Sequence, residues 1–182
     1  TEIYTLSLHD ALPISKTTIL MRTTDTHIYF WGSFLSNWIP MDLAIKYDGQ
    51  TFTTSEQLFM YKKAKFFGDE LAAAKIVSLG THPKDAKDLG RKIRWYDEER
   101  WSKVREEMMY ESIYEKFSQY PDLKKKLLDT GNRILVEGTP FDPIWGVKIK
   151  WSDDRILDEK NWNGQNLLGK VLMRVRSDLR NE

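Results

Sequence analysis

The chain contains no cysteine. Disulfides, thiolate nucleophiles and cysteine-ligated zinc are thereby excluded, and nothing ties the protein to an oxidising compartment. Histidine is scarce: His9, His27 and His82 lie far apart, without the paired spacing of a metal site. No bound metal and no cofactor are expected. No apolar run approaches the roughly 18 residues of a membrane helix, so no membrane partner is expected and the chain reads as soluble. Charge of one dominant sign is lacking too: 28 Lys and Arg face 27 Asp and Glu, a net charge of +1. No global field draws such a protein onto nucleic acid or anionic lipid, so any contact with nucleic acid has to be local. Internal repeats, low-complexity tracts and long linkers are absent as well.

What is present suffices for one sizeable core. The 182 residues are 41% hydrophobic and 13% aromatic, and the length favours a single domain. Residues 1–24 fit that picture poorly. Thr1 to Ile19 has neither a basic leading region nor a continuous apolar stretch, so it is no secretory signal. It resembles the translation of a sequencing adapter joined to a reading frame, with a native flexible leader as the alternative. The functional domain is expected over residues 25–182. An intracellular location is expected, cytoplasmic or, in a eukaryote, nuclear.

The order of elements reads as α+β, predominantly helical with a few short strands. His27–Trp31 is a β-branched and aromatic strand, and Asp48-Gly49 marks a tight hairpin between residues 43–47 and 50–53. Thr54 or Ser55 caps a helix running to about Phe67. Further helices are expected over about 69–79, 83–92, 97–119, 121–128 and 167–180, with a strand at Arg133–Glu137.

The capped helix carries the most unusual pattern. Seven residues at about 100° each bring Lys63 back to within about 20° of Glu56, two turns along, on a stripe shared with Phe59 and Met60. Burying either charge unpaired costs several kcal/mol, so an inward Glu and Lys need a reason. A carboxylate in an apolar pocket exchanges protons near neutral pH, and a desolvated lysine serves as nucleophile or base. Local sequence by itself favours a plainer pair at the helix rim, with Glu56 placed by the helix dipole.

Three other segments can carry chemistry. Trp31-Gly32-Ser33-Phe34-Leu35-Ser36-Asn37-Trp38 offers small polar groups between aromatics for a sugar or base edge, or merely turns the chain after a strand. Glu137-Gly138-Thr139-Pro140-Phe141-Asp142-Pro143-Ile144-Trp145-Gly146 is a proline-held loop with an aspartate and a tryptophan. Its Trp145 is either an open face for a nucleobase or an anchor over the core. Asn163-Gly164-Gln165-Asn166 before Leu167 leaves backbone N–H groups at a helix start for an anion, although an ordinary cap is the simpler reading. Arg91-Lys92-Ile93-Arg94-Trp95-Tyr96 and Lys148-Ile149-Lys150-Trp151 are basic-aromatic patches, which are more often solvated surface than nucleic-acid contacts. Trp101 reads as core with a reach to a pocket.

Taken in order, these pieces resemble the NADAR (YbiA-like) family. The likeness spans about Ile28 to Leu179: Leu35-Ser36-Asn37-Trp38, Ser55-Glu56-Gln57 through Lys63-Ala64, Leu89-Gly90-Arg91, Trp101, Val136-Glu137, Asp142, Trp145-Gly146 and Asn163 to Gly169. The resemblance implies a YbiA-like fold over residues 25–182 and an N-glycosidase acting on a ribose joined to a ring amine. Two substrates are implied: ADP-ribose on guanine in DNA, and phosphoribosylated pyrimidine intermediates of riboflavin biosynthesis. The first makes the protein the counterpart of a DNA ADP-ribosyltransferase. Carried over by motif, Glu56, Lys63 and Asp142 are the catalytic candidates, and Ser36, Asn37, Trp101, Trp145 and Asn166 the substrate contacts. A reading of another class, a non-catalytic ADP-ribose-binding module, keeps Trp145, Asn37 and Asn166 but has no use for an inward Glu56 and Lys63.

Overall fold

The computed structural model describes residues 20–40, 44–79 and 82–182. The expected α+β class is the observed one: six α-helices and five short strands among the described residues. Within this domain the chain is organised as two compact units. One combines the residues up to Ser36 with Lys125–Glu182, and the other runs from Asn37 to Lys124.

In the first unit, β1 (Leu20–Thr23), β2 (His27–Trp31) and β5 (Ile134–Glu137) form a sheet in the order β1-β2-β5. β1 is antiparallel to β2, with Met21 opposite Phe30, while β5 is parallel to β2, with Tyr29 opposite Val136. The strand at Leu20–Thr23 corrects the sequence reading, which set aside everything before residue 25. Its Leu-Met-Arg-Thr run lacks clean alternation, and only pairing with β2 reveals it as a strand. The remainder of the expected leader, residues 1–19, lies outside the described residues. Tyr29, Val136, Val147, Ile149 and Ile156 make a core cluster here, with Trp151 and Trp162 packed against it. Trp151 therefore belongs to the core, not to an open stacking patch with Lys148 and Lys150. Helix α6 (Leu167–Arg180) lays Leu168, Val171, Leu172, Val175 and Leu179 inward and packs on β5.

In the second unit, β3 (Ile45–Tyr47) and β4 (Gln50–Phe52) form the expected hairpin. Asp48 and Gly49 both hold positive φ, at 51° and 67°, which the mirror-image turn between them demands. The predicted strand start at Leu43 falls outside the described residues. Helix α1 (Ser55–Phe66) follows, and it is Thr54 that caps it, accepting from the Gln57 N–H at 3.0 Å. Helices α2 (Glu70–Ser78), α3 (Pro83–Gly90) and α4 (Glu98–Ser118) pack around it, with α5 (Pro121–Leu128) next in sequence. The predicted α2 stop at Gly80 lies outside the described residues.

Every α1 residue from Ser55 to Ala64 is buried. A helix covered on all sides is normally apolar all round. This one instead carries Glu56, Gln57, Lys62 and Lys63, and each must find a partner inside the protein. Gln57 donates to the Ile76 carbonyl at 2.7 Å, and Lys62 pairs with Glu111 at 2.6 Å while lying over the Tyr47 ring. Those two side chains hold helices together. Glu56 and Lys63 are placed differently.

Candidate active site

Glu56 and Lys63 retain only 3% and 9% of their exposure, so the solvent-facing rim pair favoured by local sequence does not form. The Asn37 side-chain amide donates to Glu56 Oε2, the Glu56 backbone N–H donates to the Asn37 carbonyl at 2.9 Å, and Ser55 Oγ reaches the same carbonyl at 3.3 Å. The loop residue and the first turn of α1 are thereby locked to one another, which orients the carboxylate. Position 56 also suits an anion, because the N–H groups at a helix start carry partial positive charge.

Two turns on, Lys63 Nζ donates to the Gly90 carbonyl at 2.9 Å. Its ammonium lies 4.3 Å from the centre of the Tyr96 ring and 5.3 Å from that of Trp101. Burial lowers the Lys63 pKa from 10.5, with Glu98 and Glu56 working in the opposite direction. The α3 end packs closely here: a Cβ at position 90 would run into Met60 Sδ, so the Met60 side chain would have to shift. Trp101, at the start of α4, is buried among Phe59 at 5.4 Å, Phe67 at 6.2 Å and Phe66 at 6.3 Å between ring centres. Asn37, Glu56, Lys63 and Trp101 thus share one neighbourhood: an oriented carboxylate, an amine of lowered basicity and an aromatic wall. Sequence reading missed Tyr96 and the Gly90 carbonyl as parts of it. Tyr96 was visible only as part of a basic surface patch, and no sequence pattern marks a carbonyl.

The other predicted residues belong to the first unit. Ser36 is buried and closes a turn, its N–H donating to the Ser33 carbonyl at 2.8 Å. Asp142 Oδ1 accepts from the N–H groups of both Ile144 and Trp145 at 2.9 Å, so one carboxylate oxygen shapes the loop that presents Trp145. That loop packs against residues 163–167, where a Cβ on Gly164 would strike the Gly146 carbonyl.

Asn166 has a structural role that the sequence reading did not foresee. It sits at φ 52° with 4% exposure, its Oδ1 accepting from the Glu137 N–H at 3.0 Å and its Nδ2 donating to the Leu135 carbonyl at 2.9 Å. Each end of the amide is thus bonded to β5, which makes Asn166 a structural strut between the α6 start and that strand. The expected anion site at the α6 start does not exist. The N–H groups of Asn166, Leu167 and Leu168 donate to the carbonyls of Gly146, Ile144 and Trp145 at 3.1–3.2 Å. Among the described residues there is no cluster of His, Asp and Glu fit for a metal ion, and no helix long and apolar enough to cross a membrane.

Comparison with known proteins gives this neighbourhood a chemical class, the hydrolysis of N-glycosidic bonds. Residues 29–180 match the NADAR domain. The chain is 36% identical over 166 residues to N-glycosidase R617 of Acanthamoeba polyphaga mimivirus, covering 85% of this chain and 97% of that one. It is 32% identical over 158 residues to the riboflavin biosynthesis protein PYRR, chloroplastic, of Zea mays, covering 82% of this chain but 23% of that protein. The NMR structure of the E. coli protein YbiA superposes with a TM-score of 0.70 at 30% identity, over 93% of this chain and 94% of that one. The chain belongs to the NADAR family.

Proposed function

We propose that this N-glycosidase hydrolyses the bond between ADP-ribose and guanine in nucleic acid, reversing a modification made by a partner ADP-ribosyltransferase. The observation that carries the proposal is the pairing, on one buried helix, of a carboxylate oriented by Asn37 with a lysine whose basicity is lowered by burial. Release of guanine with its amino group intact requires a proton for a poor leaving group and a trap for C1 of the ribose.

In the proposed sequence Glu56 gives a proton to the ring oxygen as the sugar opens, leaving an imine between C1 and the guanine nitrogen. The neutral Lys63 amine adds to C1, and a Lys63 proton passes by way of Glu56 to that nitrogen, which departs as the free amine. Water then adds to the resulting Lys63 imine, and closure of the sugar releases ADP-ribose and regenerates the lysine. Glu56 starts as the protonated acid and recovers its proton from the added water, the sugar hydroxyl gives its proton to the lysine on closure, and one water is consumed in all. Burial disfavours the charged lysine, and the Tyr96 and Trp101 rings line the amine. The assignments of Asp142 to the ribose or the attacking water, of Trp145 to the base and of Ser36 to the ligand rest on the family motif.

A second substrate, a phosphoribosylated pyrimidine intermediate of riboflavin biosynthesis, is favoured by the likeness to the maize protein. It presents the same ribose carbon beside a ring amine, so the same two side chains serve it. A non-catalytic ADP-ribose reader is disfavoured by the cost of burying Glu56 and Lys63 without a chemical use. The deciding experiment incubates the protein with ADP-ribosylated guanine in an oligonucleotide and, separately, with the phosphoribosylaminopyrimidine. Release of ADP-ribose from the first supports the proposal, and turnover of the second alone overturns it.

A further inference from the structure

Trp95 is the most exposed tryptophan among the described residues, at 64%, and its backbone is left-handed at φ 58°. A bulky side chain is rare in that conformation, which costs about 1–2 kcal/mol. The conformation persists because Arg94 is clamped beside it. The Arg94 guanidinium bonds Asp69 Oδ1 at 2.7 and 3.1 Å, and the Arg94 N–H bonds Asp69 Oδ2 at 2.9 Å. Asp69 is itself buried, and Arg94 holds its carboxyl well below the usual range, so the clamp stays charged. Arg94 also lies over the Trp95 ring at 4.7 Å, which supports the ring on one side.

The chain before Trp95 is basic and borders the Lys63 neighbourhood, while Asp97, Glu98 and Glu99 follow on the other side of Tyr96, which donates to Glu98. Between Lys84 and Arg94 the chain has five basic residues against two aspartates, and Asp88 is already occupied by Lys84 at 2.5 Å and Arg91 at 3.3 Å. Arg91 and Lys92 are exposed. Tyr96, the next residue after Trp95, is the ring beneath Lys63 Nζ. An exposed indole braced by an arginine, with further cations alongside, suits a nucleobase stacked on its ring and phosphates held by its neighbours.

We infer that Trp95, with Arg91, Lys92 and Arg94, forms a stacking platform for the nucleotide beside the modified guanine, so that the substrate is a single-stranded nucleic acid and not a free nucleoside. This rests on the proposed guanine substrate, but the platform is testable without it. The probe is an unmodified mixed-sequence 10-nucleotide single strand, with binding followed by fluorescence anisotropy. Asn tolerates left-handed backbone, so Trp95→Asn removes the ring without misfolding the turn. It is expected to weaken binding about tenfold, whereas Trp95→Phe retains most of it. Arg91→Ala with Lys92→Ala is expected to make the salt dependence shallower by about 1.4 in log–log slope, for two phosphates at about 0.7 each. Wild-type binding indifferent to Trp95→Asn, or no binding at all, overturns the platform. On ADP-ribosylated guanine the preference for oligonucleotide over nucleoside, as kcat/KM, is expected to fall about tenfold in Trp95→Asn, and equal losses on both overturn it. A wild-type protein that binds the strand through Trp95 yet releases no ADP-ribose sinks the substrate proposal and leaves the platform standing.

Discussion

Asn37 and Glu56 hold each other reciprocally: the Asn37 amide donates to the Glu56 carboxylate, and the Glu56 backbone N–H donates to the Asn37 carbonyl. A loop residue and a helix residue 19 positions apart thereby share one rigid geometry. Asn37→Ala should leave the carboxylate in place chemically but free to swing. Misorientation of that size costs about 100-fold in rate, seen chiefly in kcat. Glu56→Gln should lose about 10²–10⁴-fold in turnover with the fold intact by circular dichroism. A Glu56→Gln protein that turns over normally removes Glu56 from the chemistry.

Lys63 distinguishes two mechanisms. If it bonds the sugar, borohydride added during turnover leaves a covalent adduct on Lys63, detectable by mass spectrometry, and Lys63→Arg is inactive despite its charge. If it only holds a phosphate or carboxylate group, no adduct forms and Lys63→Arg keeps substantial activity.

The pH profile follows from the same residue. The reactive lysine is the neutral form, and burial lowers its pKa, so more of it is neutral at any given pH. Single-turnover rates should rise with pH along a limb whose midpoint lies below the ordinary 10.5. A limb centred at or above 10.5 contradicts a desolvated nucleophile.

Asn166 makes the opposite prediction. Asn166→Ala deprives the Glu137 N–H and the Leu135 carbonyl of a partner and puts Ala at φ 52°, for a combined cost of about 2–4 kcal/mol. Tm should fall by about 2–4 °C per kcal/mol in a chain of this length, measured by thermal unfolding. Activity per folded molecule at low temperature should fall little. A large fall in activity with Tm unchanged would restore Asn166 to the ligand.

Lys116 is a buried titratable group outside the proposed chemistry. It is 1% exposed, lies 5.0 Å from the Phe117 ring centre, and desolvation pushes it down to about 7. The unfolded chain binds this proton up to about 10.5 and the folded chain only to about 7, so between those values Lys116 makes stability rise with pH, with its full cost present below 7. Lys116→Met should flatten that rise relative to wild type and stabilise the fold near neutral pH by about 1–4 kcal/mol, measured by urea unfolding across pH. An equal or lower stability at pH 7 shows that the buried amine is better solvated by its surroundings than its burial implies.

Much of this protein was legible in the amino-acid order. The Thr54 cap, the Asp48-Gly49 turn, the proline-led α3 and the apolar stripe of α6 are local signals, decided by neighbouring atoms and by periodicity. The Glu56/Lys63 stripe was legible for the same reason, because helix geometry alone brings positions seven apart onto one face. Tertiary structure decided the rest. Leu20–Thr23 became a strand only because β2 offers it a hydrogen-bonding edge. Whether Glu56 and Lys63 were a solvated rim pair or a buried reactive pair depended on the helices packed around α1, since burial is a property of neighbours distant in sequence. Asn166 carries the same lesson in reverse. Its residue type suited a ligand contact, and only the tertiary structure showed that its amide also ties the α6 start to β5.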